Sequence, residues 1–100
     1  MAREKVAEVS EVAPGTGRVV QVGGRPVALF NVDGTFHAID NTCPHRGGPL
    51  AEGQLEGTTV TCPWHGWGFD VATGECRINP AVKQTRYPVE VEGNDVYIDA

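Results

Sequence analysis

Cysteine and histidine are scarce in this chain of 100 residues, which has three of each, a single methionine and two tryptophans. It also lacks any run near the roughly 18 consecutive apolar residues of a membrane helix, so a helical membrane span is excluded. An odd cysteine count in so short a chain does not suit the paired framework of a small secreted protein and fits a reducing compartment. The opening stretch, Met1 to Val12, is polar and charged, without the apolar core of a signal peptide. A cytoplasmic chain starting at its own Met1 is therefore expected. Eight Lys and Arg stand against thirteen Asp and Glu, a net charge of −5. The basic residues are scattered, which argues against nucleic acid, whose phosphates call for clustered cations. Glu90, Glu92, Asp95 and Asp99 form the densest acidic stretch. They read as a solvated strand face, with steering toward a basic partner as the sharper alternative.

What is present reads as one all-β domain over residues 1–100. Thirteen glycines and seven prolines, spread along the chain, leave no room for a long helix. "RVVQV" (Arg18–Val22), "RPVALFNV" (Arg25–Val32) and "TFHAID" (Thr35–Asp40) are short apolar or alternating runs. Gly23-Gly24 and Asp33-Gly34 separate them, the latter a strong signal for a two-residue hairpin. "YPVEVE" and "DVYIDA" flank Gly93-Asn94 as another hairpin, and "QLEG" pairs with "TTVTC". Many short strands with close turn signals predict a small sandwich or barrel.

Two stretches concentrate the scarce residues. "CPHRGGPL" holds Cys43 and His45; "CPWHGW" holds Cys62 and His65; sixteen residues separate His45 from Cys62. Each loop follows a predicted strand, which places both at the tips of hairpins. Packed side by side, the hairpins would bring four ligand-type side chains to one point. Pro44 and Pro63 fix the backbone after each cysteine, and Gly47, Gly48, Gly66 and Gly68 permit tight turns after each histidine. Zinc in a tetrahedral Cys₂His₂ site is one occupant of such a set. A [2Fe-2S] cluster with two histidines replacing two cysteines on one iron is the other. Zinc sites usually pair like ligands, whereas each loop here mixes one cysteine with one histidine, which a binuclear cluster explains.

The pattern "CPH", sixteen residues, then "CPWHGWGFD" resembles the Rieske iron–sulfur family. "FHAIDNTCPHRGGPL" and "INPAVKQTRYPVEVEGNDVYI" extend the resemblance over nearly the whole chain. It implies three small antiparallel sheets with the cluster held between two hairpin loops. It implies one Rieske-type [2Fe-2S] cluster, with Cys43 and Cys62 on the buried iron and His45 and His65 on the exposed iron. Pro80 would lie in a proline loop beside it. Respiratory members carry an extra cysteine in each loop, forming a disulfide; Gly48 and Trp64 stand at those places. They also place a serine and a tyrosine after the second histidine, where this chain has Trp67 and Phe69. Hydroxyl donors to the cluster sulfurs stabilise the reduced state, so their loss predicts a midpoint at the low end of the family's range, about −150 mV.

A soluble one-electron carrier follows as the expected role, itself not an enzyme. Its implied partners are an NAD(P)H-dependent flavin reductase and a terminal oxygenase, and a monomer is expected. The small subunit of an NAD(P)H-dependent nitrite reductase is the alternative, and a zinc-bound interaction module represents a third class. No catalytic 2-His-1-carboxylate iron site can be assembled, because only His37 remains, and it reads as a strand side chain. Pro44, Arg46, Gly47, Gly48, Trp64, Gly66 and Trp67 would form the docking patch, with Trp64 its foremost contact. Trp67 and Phe69 read as packing under the second loop. Cys76 reads as a buried small apolar residue.

Overall fold

The computed structural model describes residues 3–42, 48–64, 66–77 and 82–99. Ten strands run in chain order: β1 (Arg3–Glu8), β2 (Thr16–Val22), β3 (Arg25–Val32), β4 (Thr35–Asp40), β5 (Gln54–Glu56), β6 (Thr59–Thr61), β7 (Gly68–Asp70), β8 (Arg86–Tyr87), β9 (Val89–Glu92) and β10 (Asp95–Asp99). Single 3-10 turns at Val9–Glu11 and Leu50–Glu52 are the helical elements among the described residues. The strands form three antiparallel sheets, in the orders β1-β10-β9, β2-β3-β4-β8 and β5-β6-β7.

The four-stranded sheet is the middle layer. Side chains alternate between the two faces of a strand. Along β3, Val27 and Leu29 join one core while Ala28 and Phe30 join the other. A strand buried on both faces reads as an unbroken apolar run, which is why "PVALF" shows no alternation. The first core closes against Ala7, Val96 and Ile98 of the β1-β10-β9 sheet. The second closes against Val60 and Phe69 of the β5-β6-β7 sheet, with Leu50, Cys62, Val71 and Cys76. Phe30 and Phe69 are fully buried, each worth roughly 1.5–3 kcal/mol of transfer free energy. Cys76 is buried here, as expected of a small apolar residue.

The β3–β4 turn has the predicted form. Val32 pairs with Thr35, and Asp33 and Gly34 between them have φ of 51° and 93°. A two-residue turn whose backbone twist matches the strands requires positive φ at both positions.

Three expectations need correction. "YPVEVE" is not one strand: β8 pairs with β4 in the middle sheet, while β9 pairs with β10 in another. Pro88 lies between them; it has no N–H to continue a ladder, and its carbonyl instead accepts from Asp99 N–H at 3.1 Å. Strands β1 and β7 were not foreseen, since polar exposed residues dominate the first and the second has three residues. The first Cys/His loop does not cap a hairpin of two sheet strands. β4 already has β3 and β8 on its two edges, so the chain leaving it turns through a Thr42–Pro49 bridge into the Leu50–Glu52 turn.

Candidate metal centre

The two ends of the first loop are tied together. Asn41 accepts the Leu50 N–H on its backbone carbonyl and the Ala51 N–H on its side-chain Oδ1, both at 2.8 Å. With the Thr42–Pro49 bridge, these bonds bring the two flanks of the loop together. The second loop joins β6 to β7 and folds on itself. Cys62 N–H donates to Trp67 O at 2.8 Å, and Gly66 N–H donates to Cys62 O at 3.0 Å. Gly66 has φ +79°, which a residue with a β-carbon resists.

The loops meet at Gly48. A β-carbon built there would lie 2.7 Å from Cys62 Sγ and 3.1 Å from Trp64 Cγ. Glycine thus lets the first loop pass directly over the sulfur of the second. Cys62 is 1% exposed, whereas Trp64 beside it is 64% exposed. Trp67 packs, partly buried, against the second core, and Phe69 is wholly inside it, as the sequence reading expected.

Of the four predicted ligands, Cys62 is among the described residues: it is buried, at the meeting of the two loops. Cys43, His45 and His65 lie outside the described residues, as do Pro44, Arg46, Gly47 and Pro80. Among the described residues no three metal-ligating side chains cluster. His37 is a half-buried residue of β4, as expected. Burial and the nearby Arg86 lower its pKa, while Asp70 pulls weakly in the other direction.

Support for the loops comes from residues whose role the sequence did not announce. Asp70 ends β7 and holds the turn behind it: its Oδ1 accepts from Ala72 N–H at 2.8 Å, and Oδ2 pairs with Arg77 at 3.0 Å. The string "DVATG", an acidic residue with glycine four places on, is a turn signal that could have found it. Tyr87 O–H donates to Asp40 Oδ1 at 2.5 Å at the end of β4. Burial, then this bond, raises the tyrosine pKa.

The donor chemistry and the space both fit an iron–sulfur group. A soft sulfur, that of Cys62, sits in a residue only 1% exposed, in a cradle that a single β-carbon would fill. A buried cysteine where two loops meet, each loop carrying one cysteine and one histidine in its sequence, is the pattern of a small metal-binding domain. The chain belongs to the Rieske [2Fe-2S] domain family, which matches residues 2–92. It is 43% identical over 97 residues to the ferredoxin subunit of 3-phenylpropionate/cinnamic acid dioxygenase from Escherichia coli, covering 94% of this chain and 87% of the relative. It is 40% identical over 96 residues to Ferredoxin CarAc of Metapseudomonas resinovorans, covering 94% and 90%. A solved complex of reduced oxygenase and oxidised ferredoxin in carbazole 1,9a-dioxygenase contains a chain 39% identical. Its TM-score is 0.88, with 96% of this chain and 91% of that one covered. The chain is accordingly a Rieske-type one-electron carrier with one [2Fe-2S] cluster, a component of an oxidoreductase system and not its catalytic enzyme. No helix among the described residues is long and apolar enough to cross a membrane.

Proposed function

We propose that this protein, as a single domain over residues 1–100, takes electrons from an NAD(P)H-dependent flavin reductase and delivers them to a terminal oxygenase in the cytoplasm, acting as a monomer. Cys43, His45, Cys62 and His65 hold the cluster, with the cysteines on the inner iron and the histidines on the outer one. When bound, the cluster supplies reversible one-electron chemistry, which needs no bond to a substrate. The protein's part is to enclose one edge of the site and leave the other within reach of a partner. Cys62 and Gly48 form the enclosed edge, and Trp64 marks the open one.

The observation that carries the reading is the contrast at the second loop. Cys62 is sealed at 1% exposure, while Trp64, two residues on, presents a large aromatic ring at 64% exposure. An exposed tryptophan is the kind of residue that dominates a binding interface. The ferredoxin–oxygenase complex of carbazole 1,9a-dioxygenase, with a chain 39% identical to this one, supports an oxygenase as the acceptor. Trp67 and Phe69 carry no hydroxyl to donate to a sulfur, which supports a midpoint near the low end of the range, about −150 mV.

A second acceptor has its own support. A solved structure described as a putative NADH-dependent nitrite reductase small subunit from Mycobacterium tuberculosis is 27% identical, with a TM-score of 0.90 and 97% of this chain covered. The test is a potentiometric titration of the anaerobic holo-protein followed by electron delivery to a purified ring-hydroxylating oxygenase and to a nitrite reductase large subunit. A low midpoint with turnover of the oxygenase is expected. A midpoint above about +100 mV would overturn the reading of Trp67 and Phe69. A stable complex with, and turnover of, only the nitrite reductase subunit would replace the oxygenase.

A further inference from the structure

Gln84 is one of two buried polar residues among those described, at 7% exposure. Its side-chain Nε2 donates both hydrogens to main-chain carbonyls: Asp40 O at 2.9 Å and Thr42 O at 2.7 Å. Pairing of β4 with β8 stops at Ile39, opposite Arg86. Asp40 N–H still donates to Thr85 O at 2.9 Å, and the glutamine amide extends this tie by gripping two carbonyls two residues apart. The next residue in the chain is Cys43.

The same residue reaches the second loop's support through its backbone. Gln84 N–H donates to Gly74 O at 2.7 Å. Gly74 closes the turn that begins at Asp70, with its N–H donating to Asp70 O at 2.6 Å. That turn follows β7, the strand leaving the loop of Cys62. Gly74 has φ +82°, and a β-carbon there would collide with Gln84 O. Glycine is thus needed for the two segments to approach this closely. One buried residue therefore ties the start of the first loop, through its side chain, to the turn behind the second, through its backbone.

We infer that Gln84 is a positioning residue for the [2Fe-2S] centre, fixing the spacing of the Cys43 loop against the Cys62 loop. The inference rests on the ligand set proposed above. An amide with both hydrogens committed has one orientation, so it sets distance and direction together. Groups hydrogen-bonded to a ligand change metal affinity by roughly 10–100-fold when removed; Gln84 acts one step further out, through the chain leading into Cys43, so the low end, about tenfold, is expected.

The test is Gln84→Met in the holo-protein, which keeps length and burial but removes both donors. Gln84→Asn accompanies it; it keeps an amide but draws it back by one methylene, leaving a folded variant if methionine is not tolerated. Val20→Ala, a truncation in the other core, serves as the control for general destabilisation. Cluster absorbance should decay about tenfold faster in Gln84→Met than in the parent. The electron paramagnetic resonance g-values of the reduced centre should shift in both Gln84 variants and stay fixed in Val20→Ala. Parent-like g-values and decay in the Gln84 variants overturn the inference, as does an equal shift in Val20→Ala. A parent spectrum without coupling to two imidazole nitrogens overturns the ligand set instead, and the inference with it.

Discussion

Gly48 lies directly against Cys62: a β-carbon at residue 48 would stand 2.7 Å from the sulfur of residue 62. Contacts of that length force something to move. The Trp64 ring, 3.1 Å away and largely exposed, can swing outward. The Cys62 sulfur, held to iron in the ligand set proposed above, cannot. Gly48→Ala should therefore damage the centre more than the fold. The expected result is a purified protein with native far-ultraviolet circular dichroism and most of its iron and labile sulfide missing. Overpacking of a filled site costs about 1–3 kcal/mol. Full iron content in the alanine variant would show that the first loop can lift off the sulfur.

Behind the second loop, Asp70 offers a different test. Its carboxylate accepts two backbone N–H groups, from Ala72 at 2.8 Å and Thr73 at 3.3 Å, and pairs with Arg77 at 3.0 Å. Hydrogen bonds to a charged group are worth about 1.5–3 kcal/mol. Asp70→Ala should lower the thermal midpoint by about 10 °C in a domain of this size. Arg77→Ala should lower it far less, because the arginine side chain is 53% exposed and exposed pairs contribute about 0–1 kcal/mol. Equal losses in the two variants would mean that the ion pair, and not the turn, carries the effect.

These sites differ in how far the sequence announced them. β3 and β4 were legible to the residue, because Asp33-Gly34 and Gly23-Gly24 fix both ends of the hairpins. The pairing of "CPH" with "CPWHGW" named the loops and the cluster type. The split at Pro88 was legible in principle, since proline cannot donate to a ladder, yet "YPVEVE" alternates well enough to mask it. Gln84 was not legible. Its role depends on carbonyls 42 and 44 residues away in the chain, and nothing in "AVKQTRY" marks a glutamine as buried. Gly48 read as turn chemistry, as the place of a respiratory cysteine and as part of the docking patch; the structure buries it instead, against a sulfur in the other loop, which is a tertiary fact. Local pattern specifies turns and strand faces, whereas the ties between the two loops are long-range contacts with no periodicity of their own.

Trp64 should separate docking from folding. Its ring is 64% exposed, so truncation removes little buried area. Tryptophan at the centre of an interface often contributes about 2 kcal/mol or more to binding. Trp64→Ala should raise the apparent KM for the carrier in oxygenase reduction by about tenfold or more, with a thermal midpoint close to the parent's. Val91→Ala provides the comparison: it is also exposed, at 46%, but lies on the sheet across the middle layer from the loops. An unchanged KM in Trp64→Ala would move the docking contact elsewhere on the loop rim.

The pH dependence of stability should report His37. Burial and the neighbouring Arg86 lower its pKa in the fold below the ordinary 6.5, against a weaker upward pull from Asp70. The folded state thus favours the neutral ring, and the unfolded chain binds the proton first as pH falls. Stability linked to this group is fully present above the ordinary value. It is lost as pH drops from there toward the folded-state pKa, because the unfolded state holds more protons in that window. The denaturant midpoint of the parent should therefore decline on acidification below about 6.5. His37→Gln removes the titrating ring and should flatten that part of the curve, leaving the decline caused by carboxylates at lower pH. His45 and His65 are common to both proteins, so the difference between the two curves isolates residue 37. Parallel curves would show that the proton enters the folded and unfolded chains alike, and that Asp70 offsets the combined effect of burial and Arg86.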